Sequence, residues 1–391
     1  MRVLLTFAGG RGHAVPLLPL ARALRAAGHV VGCNGRAAVV AELGAFGERL
    51  PDPDDAGPEP TAIAPLLAPD VAREEAVLRD GFGGAVARRR ATSVRALCER
   101  WAPDLIVRDE LDFGALVAAE SLGLPHATVL VSASGAFVRP QLVAARLDAL
   151  RAAHGLPPDP ELAEPARHLV LSHCPPRFRD PAFPLPATAL AFRAQAGGGR
   201  EGEPHSPDAL PGAPTVYATL GTIFNAESGD LFARLLEGLR ALPLNVVVTV
   251  GRGLDPRAFG PQPPHVRVER HLPQTEVLSR CDLVVSHGGS GTVVDALAAG
   301  LPSVLLPLGA DQLLNAARCE ALGVGVALDP VRVTPLAIGA AVTRVLGDRA
   351  IAAAARAFAR EIAALPKPDA CVPALERIAS AGAAAAGTVA P

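Results

Sequence analysis

One run, His287-Gly-Gly-Ser-Gly-Thr292, restricts what this chain can fold into more than any other stretch. The apolar residues before it, Asp282 to Ser286, read as a strand, and Val293 to Ala299 after it read as a helix. A strand end, a glycine turn and a helix start together expose backbone N–H groups at the positive end of a helix dipole. Such a cradle suits a phosphate or diphosphate without a metal. A second apolar strand, Ser303 to Leu306, then delivers the carboxylate of Asp311 and the amide of Gln312 to the same edge, where they can hydrogen-bond sugar hydroxyls.

The rest of the chain supplies the scaffold that such a turn needs. Residues 1–193 alternate apolar strands with stretches of period 3.6, the pattern of a parallel sheet covered by helices on both faces. Strands are predicted near Met1–Phe7, Val30–Cys33, Leu105–Arg108, Ala127–Val131 and Leu169–Ser172, with a helix over Val15–Ala27 stopped by Gly28. Residues 51–70, rich in Pro and Asp, read as a loop. Residues 194–214, with a triple glycine and repeated Pro, can bury little and read as a linker; strands and helices resume at Thr215. The fold class is therefore α/β, with two doubly wound Rossmann-like domains facing a cleft, the first at 1–193 and the second at 215–375. Half of the 391 residues are apolar, enough for two cores. An alanine-rich helix is predicted at 349–364, and 381–391 reads as a frayed tail.

The segment from His287 to Gly325 closely resembles the nucleotide-sugar signature of the GT-B family-1 glycosyltransferases, above all the bacterial branch that decorates polyketide, macrolide and enediyne natural products. The opening run from Gly12 to His29, the segment Tyr217-Ala-Thr-Leu-Gly-Thr222 and His271-Leu-Pro-Gln274 carry the same resemblance. It implies an acceptor-binding domain at 1–193, a donor domain at 215–375, and a C-terminal region, 349–380, that packs back on the first domain. The implied reaction is inverting, metal-independent transfer from a nucleoside diphosphate sugar, TDP-linked in this branch, to a hydroxyl of a hydrophobic aglycone in antibiotic biosynthesis. No cofactor is implied, and a homodimer is compatible with the resemblance.

Candidate residues follow from strand ends. His13 comes just after the first strand, and an imidazole, with an ordinary pKa of about 6.5, is suited to taking a proton from an acceptor hydroxyl. Asp109 ends the strand Leu105-Ile-Val-Arg108 on the same edge and can orient that imidazole, although Glu110 and Asp112 lie close enough to do so instead. By resemblance, His13 corresponds to the family's general base and Asp109 to its orienting acid. On the donor side, the resemblance assigns the diphosphate to Thr222, His287, Gly288, Gly289, Ser290, Gly291 and Thr292, and the hexose to Asp311 and Gln312. The nucleotide base is expected over Leu272, with Arg252 or Arg270 stacking on it or simply standing as solvated charges. Asp295 reads equally as a ribose contact or as an acid near a helix start. Phe82, Phe113 and Phe137 are candidate acceptor walls or simply core residues.

Several classes are excluded. A net charge of −2 gives no basic surface for nucleic acid or an anionic membrane. No apolar stretch is long enough to span a bilayer, and Met1–Phe7 is too short for a signal peptide, so a cytoplasmic protein is expected. Gly10-Arg-Gly12 lacks the third glycine of a dinucleotide fingerprint, and Cys33-Asn34-Gly35-Arg36 offers no acid for a ribose diol. Asp52-Pro-Asp54-Asp55, the one DxD-like run, reads as loop chemistry, so no metal site is expected. Six scattered cysteines read as reduced. Two other functions remain open at this point: a nucleotide-sugar 2-epimerase, and a non-catalytic helper that binds nucleotide-sugar or aglycone.

Overall fold

Alternation within single strands shows how the first half is built. Val3, Leu5, Leu105 and Val107 enter one apolar cluster, while Leu4 and Ile106 enter another on the opposite sheet face. Strands apolar on both faces are the mark of a sheet covered on both sides. The computed structural model describes residues 1–42, 46–52, 62–193 and 210–387. The first sheet comprises β1 (Arg2–Thr6), β2 (Val30–Arg36), β3 (Glu48–Asp52), β4 (Leu105–Asp109), β5 (His126–Leu130), β6 (Leu169–Ser172) and β7 (Ala189–Ala191). All pairings are parallel, in the order β3-β2-β1-β4-β5-β6-β7.

The second sheet follows the same plan. It comprises β8 (Thr215–Thr219), β9 (Asn245–Thr249), β10 (Val266–Glu269), β11 (Leu283–Ser286), β12 (Ser303–Leu305) and β13 (Gly325–Ala327), parallel in the order β10-β9-β8-β11-β12-β13. In both sheets the order reverses beside the opening strand, between β1 and β4 and between β8 and β11. Thr6 pairs with Arg108 at the first reversal and Thr219 with Ser286 at the second. Ligands of open α/β sheets collect at the carboxyl ends of the strands at such points.

The chain divides into two compact units, one of Met1–Gly57, Ala72–Ala194 and Leu365–Pro391, the other of Pro58–Val71 and Gln195–Ala364. Three predicted boundaries are corrected by this. Part of the first predicted domain, 1–193, belongs to the second unit: Ile63 and Leu66 pack on the second core, and Ala64 exchanges backbone bonds with Ala226 (2.6 Å) and Gly229 (3.0 Å). Two apolar side chains and one bridge residue find partners there that no local pattern announces.

At the C-terminal side the helix Arg349–Ala364 stays with the second unit, although 349–380 was expected to pack on the first. Its apolar stripe Ala355, Phe358 and Ile362 is buried, and Gly300 (φ +73°) leaves room for Ala359. Only from Leu365 does the chain return to the first unit, so the second domain ends there and not at 375. There Cys371, Val372, Ala374, Leu375 and Ala379 join the first core. The predicted tail 381–391 continues a helix, Val372–Gly387, and its last four residues lie outside the described ones. Most of the predicted linker, 194–209, also lies outside them, as does 53–61 of the predicted loop. Among the described residues no helix is long and apolar enough to cross a membrane.

Asp52 is likewise not loop chemistry. It ends β3 fully buried and accepts from Arg90 at 3.1 Å, while Arg90 also reaches Asp112 at 2.6 Å. Asp54 and Asp55 lie outside the described residues. Gly114 permits this triad, because a Cβ there would lie 2.4 Å from Arg90 Cβ and 2.5 Å from the Ala87 carbonyl. The helices Ala87–Trp101 and Phe113–Ser121 can therefore approach closely enough to bring the guanidinium to Asp112.

Candidate functional site

In the first unit the reversal point carries an imidazole and a carboxylate. His13 sits in a short helical turn, Arg11–Ala14, and its Nδ1 lies 3.3 Å from Asp109 Oδ2. The imidazole is 18% exposed and the carboxylate 0%. Asp109 Oδ2 also accepts from the Ala8 N–H (2.7 Å), and Oδ1 accepts from those of Leu111 (2.5 Å) and Asp112 (3.1 Å). Burial pushes its pKa up, but the His13 imidazole and the Ala8 and Leu111 N–H groups outweigh burial and hold it below the ordinary range. The carboxylate is thus charged at neutral pH and aimed at one ring nitrogen.

The competing acids are engaged elsewhere. Glu110 Oε2 accepts from the N–H groups of Val131 (3.1 Å) and Ser132 (2.9 Å), and burial raises its pKa against those bonds and Arg179. Asp112 pairs with Arg90 and caps the helix Phe113–Ser121 through the Ala115 N–H. Gly9, which no spacing singles out, is required by the ring: a Cβ there would stand 2.2 Å from His13 Cδ2. Of the three phenylalanines read as acceptor walls or core residues, Phe113 is 1% exposed and belongs to the core. Phe137 and Phe82 pack partly buried on the same apolar cluster, and Phe82 also stacks on His13.

In the second unit the reversal point carries the glycine turn. β11 ends at Ser286, Gly288 turns at φ +83°, and the helix Ser290–Ala298 starts after Gly289. His287 is enclosed, and burial lowers its pKa to about 4 against the Thr219 carbonyl, so the ring is neutral at pH 7 and donates one N–H. It rests against two glycines: a Cβ at Gly221 would lie 2.6 Å, and one at Gly289 2.5 Å, from its Nε2. Gly221 lies at φ +80° just before the exposed Thr222. Gly291 is exposed, with open space where a Cβ would stand, which leaves the helix start approachable.

Asp311 is drawn to that helix start. Its Oδ2 accepts from Ser290 Oγ at 2.5 Å and Asn315 Nδ2 at 2.9 Å, and Asn315 also donates to the Gly288 carbonyl at 3.0 Å. Asn315 was missed, though it lies four residues after Asp311 on one helix face, a spacing legible in the sequence. Gln312 is 2% exposed, and its amide oxygen closes the turn after β12 by accepting from Leu308 (2.7 Å) and Gly309 (3.2 Å). Its expected sugar contact is thereby corrected to turn closure for that oxygen.

Thr292 Oγ1 donates to Gln274 Oε1 at 3.4 Å, and Gln274 Nε2 donates to Asp295 Oδ2 at 2.8 Å. Burial raises the Asp295 pKa to about 6, with the Gln274 bond opposing it. Leu272 packs beside Tyr217, Val247 and Val277. Arg252 is exposed, and its carbonyl accepts from Arg270 at 3.2 Å.

Among the described residues, no three His, Cys, Asp or Glu are grouped to hold a metal ion. A groove of about 640 Å³ in the first unit, lined by Met1, His29, Asp104, Leu124 and Glu376, lies elsewhere. Met1, His29, Asp104 and Leu124 stand just before β1, β2, β4 and β5 begin, about 15 Å of strand away from the edge that bears His13.

Known proteins share this architecture and its sequence. The chain is 33% identical over 384 residues to the L-demethylnoviosyl transferase of Streptomyces niveus, covering 94% of this chain and 96% of that one. It belongs to the GT-B natural-product glycosyltransferases. It is also 34% identical to the elloramycin glycosyltransferase of Streptomyces olivaceus, covering 94% and 95% of the two chains. Residues 233–378 match the family described as erythromycin biosynthesis protein CIII-like, C-terminal domain. The solved glycosyltransferase SnogD of Streptomyces nogalater superimposes with a TM-score of 0.72 at 25% identity, over 97% of this chain and 99% of that one. VinC, solved in complex with dTDP, gives 0.73 at 25% identity, over 97% and 100%. This glycosyltransferase is therefore a sugar-transfer enzyme, and the epimerase and helper readings fall away.

Proposed function

We propose that this glycosyltransferase moves a sugar from a TDP donor, with inversion and without a metal, to a hydroxyl of a hydrophobic natural-product aglycone. The observation that carries the reading is the buried, charged Asp109 set 3.3 Å from the partly exposed His13 at the strand-order reversal. His13 takes the acceptor proton through the nitrogen that Asp109 leaves free, and Asp109 stabilises the imidazolium that results. A base without a covalent intermediate gives one displacement, and one displacement inverts the anomeric centre.

Negative charge grows on the departing diphosphate as the glycosidic bond breaks. The N–H groups at the start of the helix Ser290–Ala298 and the exposed Thr222 are suited to meet it, while the Ser290 and Thr292 hydroxyls are given to Asp311 and Gln274 and the single N–H of the neutral His287 to the Thr219 carbonyl, so that these three side chains hold the turn in shape. Contacts that strengthen with that charge lower the barrier more than they tighten the ground state. Asp311, half-buried and held by Ser290 and Asn315, is the member of its pair assigned to the hexose hydroxyls. The choice of TDP draws on the relatives solved with thymidine diphosphate. The choice of acceptor draws on relatives named as tylactone mycaminosyltransferase and 10-deoxymethynolide desosaminyltransferase.

The test pairs turnover with nucleotide binding in His13→Ala. Transfer from a TDP-sugar to a panel of polyketide aglycones should fall by about 10²–10⁴ while calorimetric TDP affinity holds. Near-normal turnover removes His13 as the base. Activity abolished by EDTA and restored by magnesium removes the metal-free reading of the diphosphate cradle.

A further inference from the structure

We propose that Phe82 is a positioning residue for the transfer: its ring, stacked on the His13 imidazole, holds the base and stabilises the positive charge it acquires on taking the acceptor proton. The inference rests on His13 being that base. The ring centroids are 5.5 Å apart and the planes 15° from parallel. With Asp109 at Nδ1 and the Gly9 backbone against Cδ2 and Nε2, the aromatic face is a third restraint on the imidazole.

An unusual local structure puts it there. Val77–Val86 winds wider than an α-helix, with the Ala87 N–H reaching back five residues to the Phe82 carbonyl. Wide turns of this kind are rare and tend to occur at functional sites, where they re-aim one side chain. Leu78 is fully buried in an apolar cluster, whereas Phe82 is half-buried and packs on both that cluster and the imidazole. A Cβ at Gly83 would lie 3.3 Å from Val143 Cγ1, so the stretch is held close to the helix Pro140–Ala153.

The energetic argument separates ground state from transition state. A neutral imidazole gains little beyond packing from an aromatic face, but a cation within about 6 Å of a ring centroid is attracted by its quadrupole. The contact therefore strengthens as the proton transfers, which is the condition for raising kcat. Other charged groups on the neighbouring elements are Asp109 on β4 and Arg11 on the turn of His13, itself paired with Glu42. The wide helix carries Arg79 and Asp80, paired with each other, and Asp80 also pairs with Arg146.

The experiment measures kcat and acceptor KM from pH 5 to 9 for Phe82→Leu and Phe82→Tyr, each alone and combined with His13→Ala. Phe82→Leu is expected to lower kcat about 2- to 30-fold, leave acceptor KM nearly unchanged and move the acid limb of the rate profile to lower pH. Phe82→Tyr, which keeps the ring, restores most of the rate. Added to His13→Ala, Phe82→Leu costs nothing further. An equal loss with and without His13, or a change confined to acceptor KM with the acid limb in place, overturns the proposal. Phe82→Met, whose unbranched side chain adapts better to an irregular gap, carries the same expectation should the Leu variant fold poorly. If His13→Ala alone turns over normally, it is the base assignment that has failed.

Discussion

Replacing Asp109 by Asn removes one charge and almost no volume, so its effect can be worked from the geometry. A carboxylate 3.3 Å from an imidazolium contributes about 5 kcal/mol at an effective dielectric of about 20. That is a ceiling of between three and four decades in rate, because His13 keeps some contact with water. The general base as a whole is worth about 10²–10⁴, so the variant should lose about 10²–10³ in kcat/KM. Its acid limb should also move to lower pH, since the imidazolium is no longer held.

Folding pays attention to the same substitution. The Asn amide oxygen can still accept from Leu111 and Asp112, but its NH₂ faces the Ala8 N–H, a buried mismatch of about 1–3 kcal/mol. The native pKa of Asp109 is depressed, so its contribution to stability is present above the unfolded value of about 3.9 and is lost as pH falls through the native value. The Asn variant should therefore melt earlier at pH 7, and its stability should depend less on acid. Single-turnover product formation by mass spectrometry, with melting curves at each pH, measures both effects. A rate within threefold of wild type, in a protein that still binds TDP, would refute the orienting role.

Three further outcomes are expected. Arg90→Met leaves Asp112 buried without its cation and Asp52 with only Arg89 at 3.8 Å, and should cost about 3–5 kcal/mol of stability in urea titration, with Arg90→Lys losing less. Gly221→Ala forces a Cβ to within 2.6 Å of His287 at a φ of +80° and should weaken TDP binding at least about tenfold by calorimetry, with the melting temperature changed far less. Asp295 has a native pKa raised to about 6, so its favourable contribution is full below about 3.9 and disappears as pH rises through 6. Asp295→Asn should raise the melting temperature at pH 8 and leave it unchanged at pH 4.

What the sequence discloses is what local chemistry dictates. The strands were readable because both faces are covered and each holds a continuous apolar run, as in Leu105-Ile-Val107 and Leu283-Val-Val285. The glycine turn was readable because a helix start after a strand needs small residues. By contrast, the seat of His13 on Gly9 and that of His287 on Gly221 depend on where a ring lands after folding. The docking of Ile63 and Leu66 on the second core is a long-range event that a Pro- and Asp-rich stretch conceals. The wide helix Val77–Val86 looks like any amphipathic stretch, because a shift in hydrogen-bond register leaves little trace in composition. Buried ion pairs such as Arg90 with Asp52 and Asp112 join residues 38 and 22 positions apart, beyond any periodicity.

The path of the chain sets terms for building chimeras with altered sugar preference. Exchanging residues 210–364 alone would leave Ile63, Ala64 and Leu66 from one parent seated in the apolar core of another, with the bonds to Ala226 and Gly229 made across mismatched surfaces. A graft that also transplants residues 62–71, and rejoins the recipient at Leu365, keeps each core with its own side chains. Hybrids cut without that short piece should express poorly for reasons unrelated to the sugar they were designed to carry.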